Sequence, residues 1–175
     1  ALASTSRVLD LLDTEVGVVE GEISLEEADG DIRFDGIQFT YPGREDVLRG
    51  IDLDLPSGKT VGLVGATGSG KTTLVRLLLR FQDPLEGSVT MDGHDVRELR
   101  LGSLRGAISL VSQTTTLFPG TVRDNVLYGR PEASEEEVVE AARIAEAIGF
   151  IDELPEGWDT NIGEDGHRLS GGQRQ

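Results

Sequence analysis

Gly65-Ala66-Thr67-Gly68-Ser69-Gly70-Lys71-Thr72 fits the pattern G-x-x-x-x-G-K-[ST] at every fixed position. Its glycines let the backbone curl until several N–H groups point at one anion. Before it, Thr60-Val61-Gly62-Leu63-Val64 is a short apolar run that reads as a buried strand. After it, Leu74, Leu77, Leu78 and Phe81 fall at i, i+3, i+4 and i+7, one face of a helix. Strand, glycine loop and helix in this order put a helix N-terminus, with its partial positive charge, at the loop. Lys71 then reaches outer phosphates, and the Thr72 hydroxyl offers an oxygen to magnesium. The chemistry is capture of a nucleoside triphosphate. A glycine-rich turn alone would not require the lysine or the flanking elements. The loop does not by itself separate kinases, GTPases, motors and transporters.

Composition narrows the field. The chain has 175 residues, enough for one domain with a real core. It has no cysteine, so disulfides and thiolate metal sites are excluded. His94 and His167 stand in no ligand spacing. The formal charge of −16 argues against a nucleic-acid partner, because phosphate backbones need basic surfaces. Lys59 and Lys71 are the only lysines, so positive potential at the loop must be local.

Residues 1–13 carry Val8, Leu11 and Leu12 at helical spacing behind Ser4, Thr5 and Ser6, and residues 14–30 read as an acidic linker. From Asp31, Ile32, Phe34, Ile37 and Phe39 alternate around a break at Asp35-Gly36, a strand with a bulge. A second alternating strand runs from Val47 to Leu55. Val89 and Met91 sit in another short strand closed by Asp92-Gly93, and Leu99 to Arg105 reads as a short helix. Ala107 to Val111 is apolar enough for a strand buried on both faces. Beyond it the pattern is helical. Thr121 to Leu127 is short, and Ser134 to Ile148 is the clearest helix. There Ser134 and Glu137 form a capping box, Val138, Ala141, Ala142, Ala145 and Ile148 form the apolar stripe, and Gly149 stops it. Phe150 to Leu154 adds a turn of helix, and a glycine-punctuated loop leads to Leu169-Ser170-Gly171-Gly172-Gln173.

That last motif, downstream of the phosphate loop and beyond a helical stretch, resembles the signature of the ABC ATPases, the ATP-binding cassette family. Physically it repeats the first device: a serine hydroxyl and glycine N–H groups at a helix start form a second anion cradle. The resemblance covers residues 31–175. It implies an α/β fold with a phosphate-loop core, an antiparallel β subdomain and a helical signature subdomain. It also implies that two cassettes pack head to tail with ATP and Mg2+ between them. Tyr41 resembles the aromatic that stacks on adenine. With Gly65, Thr67, Gly68, Ser69, Gly70, Lys71, Thr72 and Thr73 it forms the expected nucleotide set of one cassette. Ser170, Gly171, Gly172 and Gln173 form the set offered to the partner's ATP. Gln113 resembles the Q-loop glutamine, which implies contact with magnesium beside Thr72 and with the attacking water; it and Lys71 are the expected catalytic residues.

The exporter subtype resembles this chain at Leu117-Phe118-Pro119-Gly120-Thr121-Val122-Arg123-Asp124-Asn125-Val126 and at Thr160-Asn161-Ile162-Gly163-Glu164-Asp165-Gly166. It places Glu164 near the membrane domain. Arg7 to Asp13 looks like the helix joining a membrane domain to its cassette. The resemblance thus implies an ATPase that drives export, working at the cytoplasmic face of a membrane with transmembrane domains upstream in the same parent chain. The family's magnesium-binding aspartate, catalytic glutamate and switch histidine follow the signature, and the sequence stops before them. The expectation is an incomplete core, with weak ATP binding and no hydrolysis by these residues alone. A soluble non-transporting ABC ATPase and a non-hydrolysing regulatory cassette are the alternatives.

Overall fold

The computed structural model describes residues 17–43, 46–163, 166 and 168–175. The alternating segment after Asp31 forms β1, Ile32–Thr40, and it pairs antiparallel with β2, Asp46–Leu55. Phe34 lies opposite Leu53 and Phe39 opposite Leu48. The register slips between Phe34 and Ile37, so the expected break is a bulge within one continuous strand. The other edge of β1 pairs with β3, Glu86–Met91, and β4, His94–Asp95, completes a sheet of order β2-β1-β3-β4. Gly87 lies against the bulge. A Cβ there would stand 2.3 Å from the Asp35 carbonyl oxygen, at a φ of +85°. Asp92 turns the β3–β4 hairpin, and its carboxylate accepts the N–H groups of Asp29 (3.0 Å) and Asp31 (2.8 Å). The acidic segment ahead of β1 is also pinned where Ile23 bridges to Leu99.

Two helices belong with this sheet: α1, Lys71–Leu78, and α2, Leu101–Gly106. Phe34, Phe39, Leu48 and Val89 share a core with Leu74 and Leu77 of α1 and Leu104 of α2. Each such side chain stabilises the fold by about 1.5–3 kcal/mol relative to exposure. α1 stops at Leu78 and does not reach Phe81, which is 52% exposed. The reason is a left-handed Arg80 at φ 50°. The Arg80 N–H returns to the Leu77 carbonyl and the Phe81 N–H to that of Arg76, both at 3.0 Å, closing the helix in a Schellman turn. Arg105 of α2 donates to the carbonyls of Leu79 and Arg80, where the helix dipole favours a cation.

Two expectations fail here. Residues 60–64 and 107–111 are not strands. Val64 is 99% exposed and Val111 73%. A strand buried on both faces requires ladder partners on its edges and layers above and below. Among the described residues no strand pairs with either segment. Their apolar character shows a demand for burial, and the pairing that would meet it is absent from this sheet.

The chain divides after Ser109, and residues 110–175 form a second unit. It contains α3, Val122–Leu127; α4, Glu135–Ile144; α5, Ile148–Asp152; a 3-10 turn, Gly157–Asp159; and α6, Gly171–Arg174. Val122, Ala142, Ile151, Ile162 and Leu169 form its core. Capping boxes open three of these helices, at Thr121/Asp124, Ser134/Glu137 and Ser170/Gln173. α4 ends at Ile144, short of Gly149, because Glu146 takes φ 55° and the Ala147 N–H returns to the Ala142 carbonyl at 2.8 Å. Gly149 lies inside α5. Of the expected stripe, Val138 and Ala142 are buried, Ile148 is half-buried, and Ala141 and Ala145 are exposed. Among the described residues no helix is long and apolar enough to cross a membrane. The helix expected over residues 1–13 lies outside them.

Candidate functional site

The phosphate loop is built against β2. Gly70 caps α1 in the left-handed region, with φ 90° and ψ 1°. A Cβ on it would stand 2.5 Å from Cδ2 of Leu48 and 3.4 Å from the Val47 carbonyl, so only glycine lets the loop close onto the sheet. Among the described residues no side chain caps the helix, and its first turn carries no acidic residue. The first N–H groups of α1 are therefore left for an anion. Lys71, the first residue of α1, folds back over the loop. Its ammonium donates to the carbonyls of Gly65 and Ala66, each at 2.8 Å, and to the Ser69 hydroxyl at 3.3 Å. The cation is thus held where loop carbonyls converge.

A cavity of about 220 Å3 opens beside the loop, lined by Tyr41, Val47 and residues 68–73. The structure therefore brings together Tyr41, Gly68, Ser69, Gly70, Lys71, Thr72 and Thr73, seven of the residues expected to hold the nucleotide. Gly65 touches this set through the lysine, and Thr67 lies on the exposed turn of the loop without lining the cavity. Tyr41 packs edge-on against Phe39, with centroids 4.9 Å apart and planes at 86°. Its hydroxyl stands 3.3 Å from Thr73 Oγ1 and accepts from Arg76 Nη1 at 3.4 Å. Sequence reading missed Val47 and Arg76. The signal for Arg76 was its place three residues after Thr73 on one helix.

Magnesium fits this cavity in one way. The Thr72 hydroxyl supplies a neutral oxygen, and among the described residues no cluster of three His, Cys, Asp or Glu could hold the ion by itself. The remaining ligands would be water and phosphate oxygens, the usual arrangement for this ion.

The other expected residues belong to the second unit. Ser170 caps α6. Its hydroxyl accepts the Gln173 N–H at 3.3 Å, and its own N–H donates to the Gln173 side-chain oxygen at 2.9 Å. The Gln173 side chain is thus spent on the cap, while Gly171 and Gly172 present bare backbone. Gln113 is exposed and lines a polar cavity of about 560 Å3 with Thr114, Thr115, Thr116, Gly171 and Arg174. The Q-loop candidate and the signature thus meet within one unit. Just beyond, Asn125 clamps the stretch before α3. Its Oδ1 accepts the Phe118 N–H at 2.8 Å, and its amide donates to the carbonyls of Phe118 and Thr121. Glu164 and His167 lie outside the described residues.

Fold and site together define a phosphate-loop α/β domain with a helical unit that ends in a serine-glycine cap. The chain belongs to the ABC transporter family, whose profile matches residues 48–175. It is 50% identical to the ATP-dependent lipid A-core flippase of Shigella sonnei (strain Ss046) and 49% identical to that of Escherichia coli (strain K12). Each match covers 99% of this chain and 30% of the relative, so the chain spans about a third of their length. Among solved structures, a bacterial Atm1-family ABC exporter with ATP bound superposes with a TM-score of 0.90 at 38% identity, over 99% of this chain and 31% of that one. The α/β fold expected from the signature is therefore the fold of the family.

Proposed function

We propose that the chain is the ATP-binding cassette of an ABC exporter. ATP lies with its triphosphate at the open N-terminus of α1, gripped by Lys71 and the loop N–H groups, and with its base beside Tyr41. Mg2+ is held through Thr72. The signature cap at Ser170 serves the nucleotide of a second cassette packed head to tail. Transmembrane domains in the same parent chain convert closure into export at the cytoplasmic face of a membrane. When bound, the metal neutralises phosphate charge; Gln113 orients the attacking water, and Lys71 stays with the phosphates through the displacement. The cargo is chosen by segments outside these residues.

One observation carries this reading: the uncapped, acid-free start of α1 with the Lys71 ammonium folded over its glycine loop. Titration of the chain with ATP and Mg2+ in a calorimeter tests it. Binding is expected, and Lys71→Ala is expected to weaken it by about 10–100-fold, the scale of a charge-assisted hydrogen bond. Equal binding by the two proteins would remove the loop from the account.

A further inference from the structure

The residues ahead of β1 are bonded at both ends to the unit of the sheet, which a linker does not require. At the β1 end, Asp92 accepts the N–H groups of Asp29 and Asp31, and the Ser57 hydroxyl donates to the Asp29 carbonyl. At the far end the ties are to α2 and its approach. The Ile23 N–H donates to the Glu98 carbonyl at 2.9 Å, and the Ile23 carbonyl accepts the N–H of Arg100, the N-cap of α2, at 2.7 Å. Ser103 Oγ accepts the Leu25 N–H at 2.7 Å and donates to the Leu25 carbonyl at 3.2 Å, while Leu25 packs against the core. Gly21 lies close on this junction: a Cβ there would stand 2.2 Å from the Glu98 carbonyl carbon and oxygen.

α2 has six residues, too few to stand alone as a helix, so its position is set by what it is tied to. On one side that is the segment ahead of β1. On the other, Arg105 grips the Leu79 and Arg80 carbonyls at the end of α1. α1 is a rod of about 12 Å whose opposite end is the phosphate loop. Productive positioning of a bound group fails with a displacement of about 1 Å. We propose that residues 21–31 are a strap that regulates the nucleotide site. Attached to α2, they hold α1 in its binding register; displacement of the chain upstream loosens them and lowers ATP affinity. By reciprocity the nucleotide tightens the strap. This rests on the reading of the phosphate loop as the nucleotide site, and it gives the membrane segments of the parent chain a covalent route to that site.

ATP with Mg2+ is titrated into the wild-type chain, Ser103→Ala, Ser103→Thr and Asp92→Gly, and amide exchange is followed in peptides containing Ile23 and Leu25. Ser103→Ala frees Leu25 and is expected to weaken ATP binding about threefold, within the range for a coupling residue that touches no ligand. Ser103→Thr keeps the hydroxyl and recovers it. Asp92→Gly suits the left-handed turn at φ 51°, frees only the β1 end of the strap and leaves ATP affinity unchanged. In the wild-type chain the nucleotide slows exchange at Ile23 and Leu25 by about the same factor of three, a reading that needs no variant to fold. Full ATP affinity in Ser103→Ala, an equal loss in Asp92→Gly, or exchange at Ile23 and Leu25 that ignores the nucleotide overturns the inference and leaves the nucleotide reading intact. A wild-type chain that binds no ATP overturns both.

Discussion

Arg80 is 3% exposed, and among the described residues its Nη1 has no hydrogen-bond partner. Its charge is answered by Asp83, whose Oδ1 accepts from Nε at 2.9 Å and which is itself only partly covered. Removing one member of such a pair strands the other in a poorly solvated place. Asp83→Ala is expected to lower unfolding free energy by about 3 kcal/mol, with Asp83→Asn losing less because an amide oxygen still accepts. Urea titration gives both values, and a loss below about 1 kcal/mol would mean that water reaches Arg80 after all. The sequence spoke unevenly at this scale. Gly70 and Lys71 stood out because the pattern admits one residue type at each and Thr72 because it admits two, and the structure sets all three along one cavity. Arg80 was not, because the left-handed position after a helix is usually glycine and an arginine there looks like any surface residue.

The capping boxes share the pH dependence of the second unit with Glu135, whose carboxyl the Arg123 guanidinium holds below the usual range. The Thr121 backbone N–H first, then its hydroxyl, holds the Asp124 carboxyl below the usual aspartate range. The Ser134 backbone N–H, with Arg130 in support, does the same for Glu137. Burial opposes both shifts and loses. A carboxylate whose pKa is lowered by folding adds stability that is complete above its unfolded value, about 4, and is lost as pH falls through the lower folded value. The urea midpoint of α3 and α4 should hold steady from neutral pH to about 5 and decline in acid below about 4. Asp124→Asn and Glu137→Gln should shallow that decline, and an unchanged acid limb would show that the boxes do not control it. The starts of these helices were readable because caps are local chemistry: Ser134 and Glu137 announce themselves three residues apart. The end of α4 was not, since Glu146 carries no stop signal and Gly149, which does, lies inside the next helix. The two false strands have a different origin. Periodicity reports an appetite for burial at residues 60–64 and 107–111, and it cannot report whether a neighbouring strand is there to pair.

Each unit has its own core, one centred on the sheet and α1, the other on Val122, Ala142, Ile151 and Ile162. Separate cores are the physical condition for separate cooperative units. The molecule carries a single tryptophan, and it is in the second: Trp158 packs against that core, under the Arg123 guanidinium at 5.6 Å. The phosphate loop, α1 and Tyr41 are all in the first. A ligand stabilises only what it binds, by about 2.7 kcal/mol at a hundredfold excess over its Kd. ATP with Mg2+ should therefore slow amide hydrogen exchange in β1 and α1 by up to about a hundredfold and leave the thermal transition of Trp158 fluorescence where it was. Peptide-resolved exchange and fluorescence melting on the same sample make the comparison. If the tryptophan transition climbs with the first unit's protection, the two cores unfold as one, and the signature cap already senses the nucleotide of its own chain. If it stays put, the helical unit is indifferent to that nucleotide, the outcome expected under the proposal that its cradle serves the ATP of another cassette.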